Sequence, residues 1–387
     1  MEYVGGNRLL LLRNGEQYFP ALVAALDAAR EEVFLETYIF ADDETGSLVS
    51  DALARAAARG VRVYLLIDGF GAQDFPARFR DALQAAGGRV LVFRPQVSPL
   101  PPKRSRLRRM HRKLACADGR VAFVGGINVI DDYERPLDDP RVTPPRYDYA
   151  VRIEGPLAQE VRGTAARLWR KVAWASMRRR GPLPAAAPPP APAGEQRAAL
   201  VFRDNLGHRR DIENAYLHHL AAAREEVIIA CAYFYPGRRF RRALLGAAAR
   251  KVRVRLLLQG KADHALLQYA SRSLFGVLLD AGIEIDEYNA SLLHAKVAVF
   301  DRRVACVGSS NIDPFSLLLS REANVFVDDA GFAGELRASL EEAMRLGATR
   351  LPPQQWRRQP FWLRLRIWLA YGITRLLLIY FGLERYH

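Results

Sequence analysis

His111-Arg-Lys113-Leu-Ala-Cys-Ala-Asp118-Gly-Arg-Val-Ala-Phe-Val-Gly125-Gly126-Ile-Asn128 occurs twice in this chain. The second copy is His294-Ala-Lys296-Val-Ala-Val-Phe-Asp301-Arg-Arg-Val-Ala-Cys-Val-Gly308-Ser309-Ser310-Asn311. Both fit H-x-K-x-x-x-x-D-x-R-V-A-x-V-G-x-x-N at a constant offset of 183 (294 − 111 and 311 − 128), so nothing is inserted within the motif. Chance produces many H-x-K triplets, but not two copies of this length with the same polar punctuation.

The local physics of the repeat is a hairpin. Leu114 and Cys116, like Val297 and Val299, alternate along the chain as a strand requires. Asp118-Gly119 is a two-residue turn signal, and Arg-Val-Ala-x-Val leads into a second strand. His111 and Lys113 are two residues apart, so their side chains leave one face together. One strand end therefore presents an imidazole beside an ammonium, within reach of Asn128 or Asn311. Two of only seven histidines fall at these equivalent positions. Asp118 and Asp301 are explained as well by a turn as by chemistry.

The duplication extends beyond the hairpins. Ala28-Ala-Arg-Glu-Glu-Val33 returns as Ala222-Ala-Arg-Glu-Glu-Val227, each closing a helix and opening a strand, over 33–40 and 227–234. Ala56-Ala-Ala-Arg-Gly-Val-Arg-Val returns as Ala247-Ala-Ala-Arg-Lys-Val-Arg-Val. Each half reads β-α-β-α followed by the motif hairpin, an α/β arrangement of a sheet layered with helices.

These motifs resemble the signature of the phospholipase D superfamily, a duplicated H-x-K-x-x-x-x-D followed by G-G/S-x-N. Within it, the likeness is to bacterial cardiolipin synthases without an amino-terminal membrane anchor, and it runs from about Asn7 to about Leu346. The resemblance implies two α/β/α sandwich halves related by a pseudo-twofold axis, with one active site at their interface. It also implies roles: His111, Lys113 and Asp118 with His294, Lys296 and Asp301 as the catalytic set, and Asn128, Asn311, Gly126 and Ser309 as its phosphate-binding support. Glu322 matches an acid of the family that orients a histidine. Tyr147 stands where an Arg precedes the family's Asp, which leaves the role of Asp148 open. Phe315 and Ser320 stand where the cardiolipin synthases have Arg and Asn.

Composition sets the partners and the compartment. The 387 residues allow two domains. A net charge of +15 favours polyanions, either nucleic acid or an anionic membrane surface. Cys116, Cys231 and Cys306 are scattered among apolar strand residues and read as core thiols, in keeping with a reducing, cytoplasmic setting. The Leu9–Leu12 run, cut by Arg13, is too short for a signal peptide or an anchor.

In chain order, residues 1–180 form the first half, 181–197 a Pro/Ala-rich extended linker, 198–349 the second half and 350–387 a basic aromatic tail. Asp42, Asp43 and Gly46 read as the cap of a helix. The basic run of Lys103, Arg104, Arg106, Arg108, Arg109 and Arg112 reads either as a solvated face or as a contact for lipid headgroups. The tail from Phe361 to Leu383 is long enough to span a bilayer. Arg364, Arg366 and Arg375 interrupt it, and an arginine at mid-bilayer costs about 2.5–3.5 kcal/mol. Trp356, Trp362, Trp368 and Tyr371 favour a helix lying on the membrane surface. A helix packed on the protein's own core is the alternative.

Two histidines supply a nucleophile and a general acid without metal or cofactor. No metal-ligand spacing and no nucleotide-binding glycine loop is seen. The expected activity, drawn from the resemblance, is phosphatidyl transfer forming cardiolipin. Phosphatidylglycerol is the substrate, and a second phosphatidylglycerol or phosphatidylethanolamine is its partner. The reaction passes through a phosphohistidine, with His111 the nucleophile, on the cytoplasmic face of the membrane. A hydrolytic phospholipase or a nuclease of the same fold are the competing readings. The aromatic tail argues against the nuclease.

Overall fold

Each copy of the motif folds as a hairpin in the middle of seven strands, and the two sets join edge to edge. The computed structural model describes residues 1–95, 107–133, 145–176, 189–261, 265–381 and 383. The first half runs β1 (Val4–Arg13), α1 (Asn14–Ala28), β2 (Glu32–Thr37), α2 (Glu44–Ala58), β3 (Arg62–Asp68), α3 (Ala77–Ala85), β4 (Arg89–Phe93), β5 (Lys113–Ala117), β6 (Val121–Gly125), β7 (Tyr149–Glu154) and α4 (Pro156–Ala175). The second runs β8 (Gln196–Arg203), α5 (Asp211–Ala222), β9 (Glu226–Cys231), α6 (Arg238–Ala249), β10 (Arg253–Gln259), α7 (Ala265–Arg272), α8 (Phe275–Asp280), β11 (Glu284–Tyr288), β12 (Lys296–Phe300), β13 (Val304–Gly308), α9 (Pro314–Leu318), β14 (Glu322–Asp328) and α10 (Ala330–Gly347). The chain then adds β15 (Ala348–Arg350), α11 (Pro353–Arg357) and α12 (Phe361–Tyr380).

The strand order is β4-β3-β2-β5-β6-β7-β1 in the first half and β11-β10-β9-β12-β13-β14-β8 in the second, a one-to-one correspondence. β1 and β8 pair antiparallel where the halves meet, and β15 extends the far edge of the second. The mixed α/β class is the expected one. Side-chain alternation builds the layers. Ile228 and Ala230 of β9 enter a core shared by both halves with α4 and α10, while Val227, Ile229 and Cys231 face a second core with α5 and α6. A third core holds α1, α2 and α3 against the first half.

Several local expectations are refined. The strands that follow the repeated Ala-Ala-Arg-Glu-Glu segment, β2 and β9, end at Thr37 and Cys231, short of 40 and 234. Phe40 and Phe234 instead make isolated bridges to Val129 and Ile312. Asp43 caps α2, its Oδ1 accepting the N–H of Gly46 at 2.7 Å. β8 starts at Gln196, inside the span taken as linker, and Arg350 belongs to β15, so the tail begins after it. Linker residues 181–188 lie outside the described residues, as do Lys103, Arg104, Arg106 and Arg385. All three cysteines are free and buried.

The tail helix serves two faces. α12 packs along α7 through Ile367, Ala370, Thr374 and Leu378. Its opposite side exposes Phe361, Trp362, Trp368, Leu369, Ile373, Leu376, Ile379 and Tyr380. At about 100° per residue, Arg364 and Arg375 fall on one border of that exposed ridge and Arg366 on the other. Among the described residues no helix is long and apolar enough to cross a membrane.

Candidate active site

The two hairpin ends meet across the pseudo-twofold axis, and short cross-half bridges fix each histidine. Arg321, just before β14, accepts the N–H of His111 on its carbonyl at 3.0 Å and donates its own N–H to Arg109 O at 2.8 Å. On the other side, His294 N–H donates to Tyr147 O at 2.9 Å and Tyr147 N–H to Leu292 O at 2.9 Å. The residue after each of these bridges is an acid. Glu322 Oε1 therefore lies 3.0 Å from His111 Nδ1, and Asp148 Oδ2 lies 2.6 Å from His294 Nδ1. Each half supplies the carboxylate for the histidine of the other. With Nδ1 engaged, Nε2 of each imidazole is free to face the cleft.

The motif residues behind each acid differ to suit its length. A Cβ at Gly126 would meet Asp148 Oδ1 at 2.3 Å, so only glycine lets the short carboxylate pack there. Ser309, at the equivalent position, donates its hydroxyl to Glu322 Oε2 at 2.5 Å. Asn128 Oδ1 accepts Ile39 N–H at 3.1 Å and Asn311 Oδ1 accepts Tyr233 N–H at 3.4 Å. Each asparagine thus holds the end of the strand that leads to the cleft, and among the described residues its amide nitrogen has no partner. Lys113 Nζ donates to His111 O at 2.6 Å, and Lys296 Nζ to His294 O. The Tyr38 ring stands edge-on to His111, with centroids 4.8 Å apart.

The two histidines and two asparagines line one cleft of about 540 Å³, together with Arg109 and Arg146 and apolar Phe70, Leu107, Leu267, Leu292 and Phe315, and the lysines and carboxylates stand behind them. Burial governs its electrostatics. It lowers the pKa of His111, against the pull of Glu322, and lowers that of His294 further, with Lys296 and Lys113 adding to the effect. It brings Lys113 down to about 7, opposed by Glu322, and lowers Lys296 as well. Asp148 is pushed up to about 6 by burial, against the neighbouring Lys296. In the protein alone both imidazoles therefore favour the neutral form.

Asp118 and Asp301 are not brought to the histidines. They sit beyond the opposite ends of β5 and β12, and at about 3.3 Å per residue the separation is roughly 20 Å. Both have positive φ, 53° and 49°, in the hairpin turn. The Asp118 carboxylate accepts the N–H groups of Arg30, Glu31 and Glu32 at 2.8–2.9 Å, and Asp301 accepts those of Arg224, Glu225 and Glu226 at 2.8–3.1 Å. That latch accounts for the repeated Ala-Ala-Arg-Glu-Glu segment and corrects the catalytic placement of these two aspartates. Arg112 departs from both readings of the basic run: it is buried and paired with Glu36.

Two features of the site had no clear signal in the sequence. Asp148 gains its role only from the cross-half bridge. Asp68 and Arg109 are 41 residues apart and form a pair at 2.6 Å on the cleft wall. Phe315 and Ser320, the departures from the family pattern, both line the cleft. Among the described residues no group of His, Cys, Asp and Glu is arranged to hold a metal ion.

Comparison with known proteins identifies the family. The family model described as cardiolipin synthase, PLD-like domain matches residues 22–136 and 216–344. Cardiolipin synthase B of Escherichia coli strain K12 is 38% identical over 366 residues, covering 91% of this chain and 85% of that protein. Cardiolipin synthase A of Pseudomonas aeruginosa strain LESB58 is 33% identical over 340 residues, covering 87% and 67%. The crystal structure of phosphatidylserine synthase from Haemophilus influenzae Rd KW20 has the same fold, with a TM-score of 0.68 at 13% identity over 97% of this chain and 95% of that one. A duplicated hairpin, a shared cleft and these relatives lead to one conclusion: the chain belongs to the cardiolipin synthase family of phospholipase D-like proteins.

Proposed function

We propose that the protein is a phosphatidyltransferase that forms cardiolipin from phosphatidylglycerol. One observation carries this reading: two imidazoles, each backed by the other half's carboxylate, face a single cleft with two buried lysines. His111 Nε2 attacks the phosphorus of one phosphatidylglycerol. The bond from phosphorus to the glycerol oxygen breaks, His294 gives that oxygen its proton, and a phosphatidyl-histidine is left. The headgroup hydroxyl of a second phosphatidylglycerol then passes its proton to His294 and attacks phosphorus. The P–N bond breaks and His111 is released. Lys113, Lys296, Asn128 and Asn311 hold the non-bridging oxygens as charge builds. The anionic phosphodiester also offsets the lysine charges and so lets His294 take up the proton that the acid role requires. Phosphatidylethanolamine is an alternative donor.

The substrates place the enzyme at an anionic membrane surface, and the free cysteines fit the cytoplasmic leaflet. α12 supplies a contact, with its apolar ridge at the acyl boundary and arginines at lipid phosphates. Purified protein incubated with phosphatidylglycerol vesicles tests the activity. Cardiolipin and glycerol in equal amounts are expected. Phosphatidic acid as the sole lipid product would instead make the protein a hydrolase, and DNA cleavage without lipid turnover a nuclease. Mass spectrometry of acid-quenched enzyme should find the adduct on His111, and an adduct on His294 would reverse the two roles.

A further inference from the structure

The halves are close copies, so their differences around the cleft carry information that the common framework does not. Asp68 ends β3, and Gln259 ends its counterpart β10. Both do one shared job. Asp68 Oδ2 accepts the N–H of Met110 at 2.8 Å, and Gln259 Oε1 accepts that of Leu293 at 2.9 Å, fixing the segment that leads into each histidine. A neutral amide suffices for this in the second half. The first half adds a charge pair. Asp68, wholly buried, also receives Arg109 Nε at 2.9 Å and Nη2 at 2.6 Å, and Arg109 Nη2 reaches Arg94 O at 3.3 Å. The residue equivalent to Arg109 is Leu292. Both line the cleft, so the asymmetry is presented to substrate. With its Nε edge held by Asp68, the Arg109 guanidinium keeps Nη1 unengaged among the described residues.

We propose that Arg109, oriented by Asp68, binds a second phosphate: the one that the acceptor alcohol itself carries. This rests on the transferase reading above. An acceptor phosphatidylglycerol presents its hydroxyl three carbons from its own phosphodiester. The lysines and motif asparagines serve the phosphoryl group in transfer, so the acceptor's anion needs a separate cation beside them. A planar guanidinium fixed along one edge presents Nη1 as a charged donor to a phosphate oxygen and limits how the headgroup can turn. Water and simple alcohols have no such handle, so Arg109 selects a phosphate-bearing acceptor over them.

The test is a competition for one intermediate. Phosphatidylglycerol vesicles are supplied with n-butanol, and cardiolipin and phosphatidylbutanol are measured from the same reaction. Both products resolve the same phosphatidyl-enzyme, so their ratio reports acceptor choice and is insensitive to the rate at which the intermediate forms. Arg109→Leu copies the residue of the other half and should lower the ratio by about tenfold or more, the usual loss for a hydrogen bond to a charged group. Arg109→Lys should recover part of it. Asp68→Asn, which keeps the acceptor function that Gln259 provides, should shift the ratio the same way. An unchanged ratio in Arg109→Leu overturns the proposal, as does a fall in total turnover at constant ratio. A shift in Arg146→Leu without one in Arg109→Leu overturns it too. A wild-type protein that makes neither product defeats the transferase reading itself and the acceptor site with it.

Discussion

Lys113 holds its ammonium with 2% of the residue exposed, and burial brings its pKa from 10.5 down to about 7. Between those values the unfolded chain keeps a proton that the folded one has lost. Stability attributable to this lysine therefore rises with pH across that window, and the full penalty applies below about 7. Replacing Lys113 with Met should stabilise the protein at neutral and acid pH while abolishing turnover. Its advantage over the wild type should shrink by up to roughly 1.4 kcal/mol per pH unit as pH rises through the window. Urea unfolding of both proteins from about pH 6 to about pH 10 checks the sign, and an advantage that widened with pH would refute it. His111→Ala and His294→Ala should each lower turnover by more than about 10²-fold, with thermal unfolding close to wild type because both rings are partly exposed at the cleft. Chelators should leave turnover intact, since lysines and asparagines supply the charge stabilisation; loss in EDTA restored by a divalent ion would contradict this. The histidines, lysines and asparagines were legible because spacing within one strand fixes which side chains share a face. Asp148 and Arg109 were not, because their partners come from bridges and pairs that only the folded chain creates.

α12 shows how far an element's composition reaches. Length, arginines and aromatics pointed to a surface helix, and packing on the protein's own core was the competing reading. The structure gives the helix a packed stripe against α7 and an exposed apolar ridge opposite it. A sequence with apolar residues nearly all round cannot say which stripe is already covered. Trp368→Glu, Ile373→Glu and Leu376→Glu change only the exposed ridge, so the fold should persist. Together they should weaken partition onto phosphatidylglycerol vesicles by roughly 10²-fold or more, since each burial is worth about 1.5–3 kcal/mol. Activity on short-chain lipid in detergent should fall far less. Vesicle sedimentation decides the matter, and unchanged partition would remove α12 from the membrane contact. Leu267 of α7 lines the catalytic cleft, so a helix resting on lipid holds the cleft close to the same surface.

At the scale of the whole molecule, the duplication was legible because the same order of strands, helices and hairpin recurs with the same punctuation. The seam was not. Leu9–Leu12 is a continuous apolar run without alternation in the sequence, although in the fold Leu9, Leu11 and Leu12 are buried and Leu10 is exposed, so periodicity alone does not mark this strand. It lies in β1, which pairs with β7 on one side and β8 on the other. That seam predicts that residues 1–188 and 189–387, produced as separate polypeptides, reassemble and recover turnover when mixed. Neither piece should turn over lipid alone, since each lacks the acid that backs its own histidine. Activity in either fragment by itself would show that the cross-half pairs are dispensable.

The exchange of acids between halves also has a genetic consequence. Asp148 and His294 lie in different copies of the duplicated unit yet form one functional pair, as do Glu322 and His111. Ancestry links His111 with His294, whereas chemistry links His294 with Asp148. Recombination that overwrote the first copy with the second would therefore put a serine in place of Gly126, or a longer acid in place of Asp148, and disturb a histidine encoded far away. Selection must act on the two copies jointly, so their differences are inherited as matched sets.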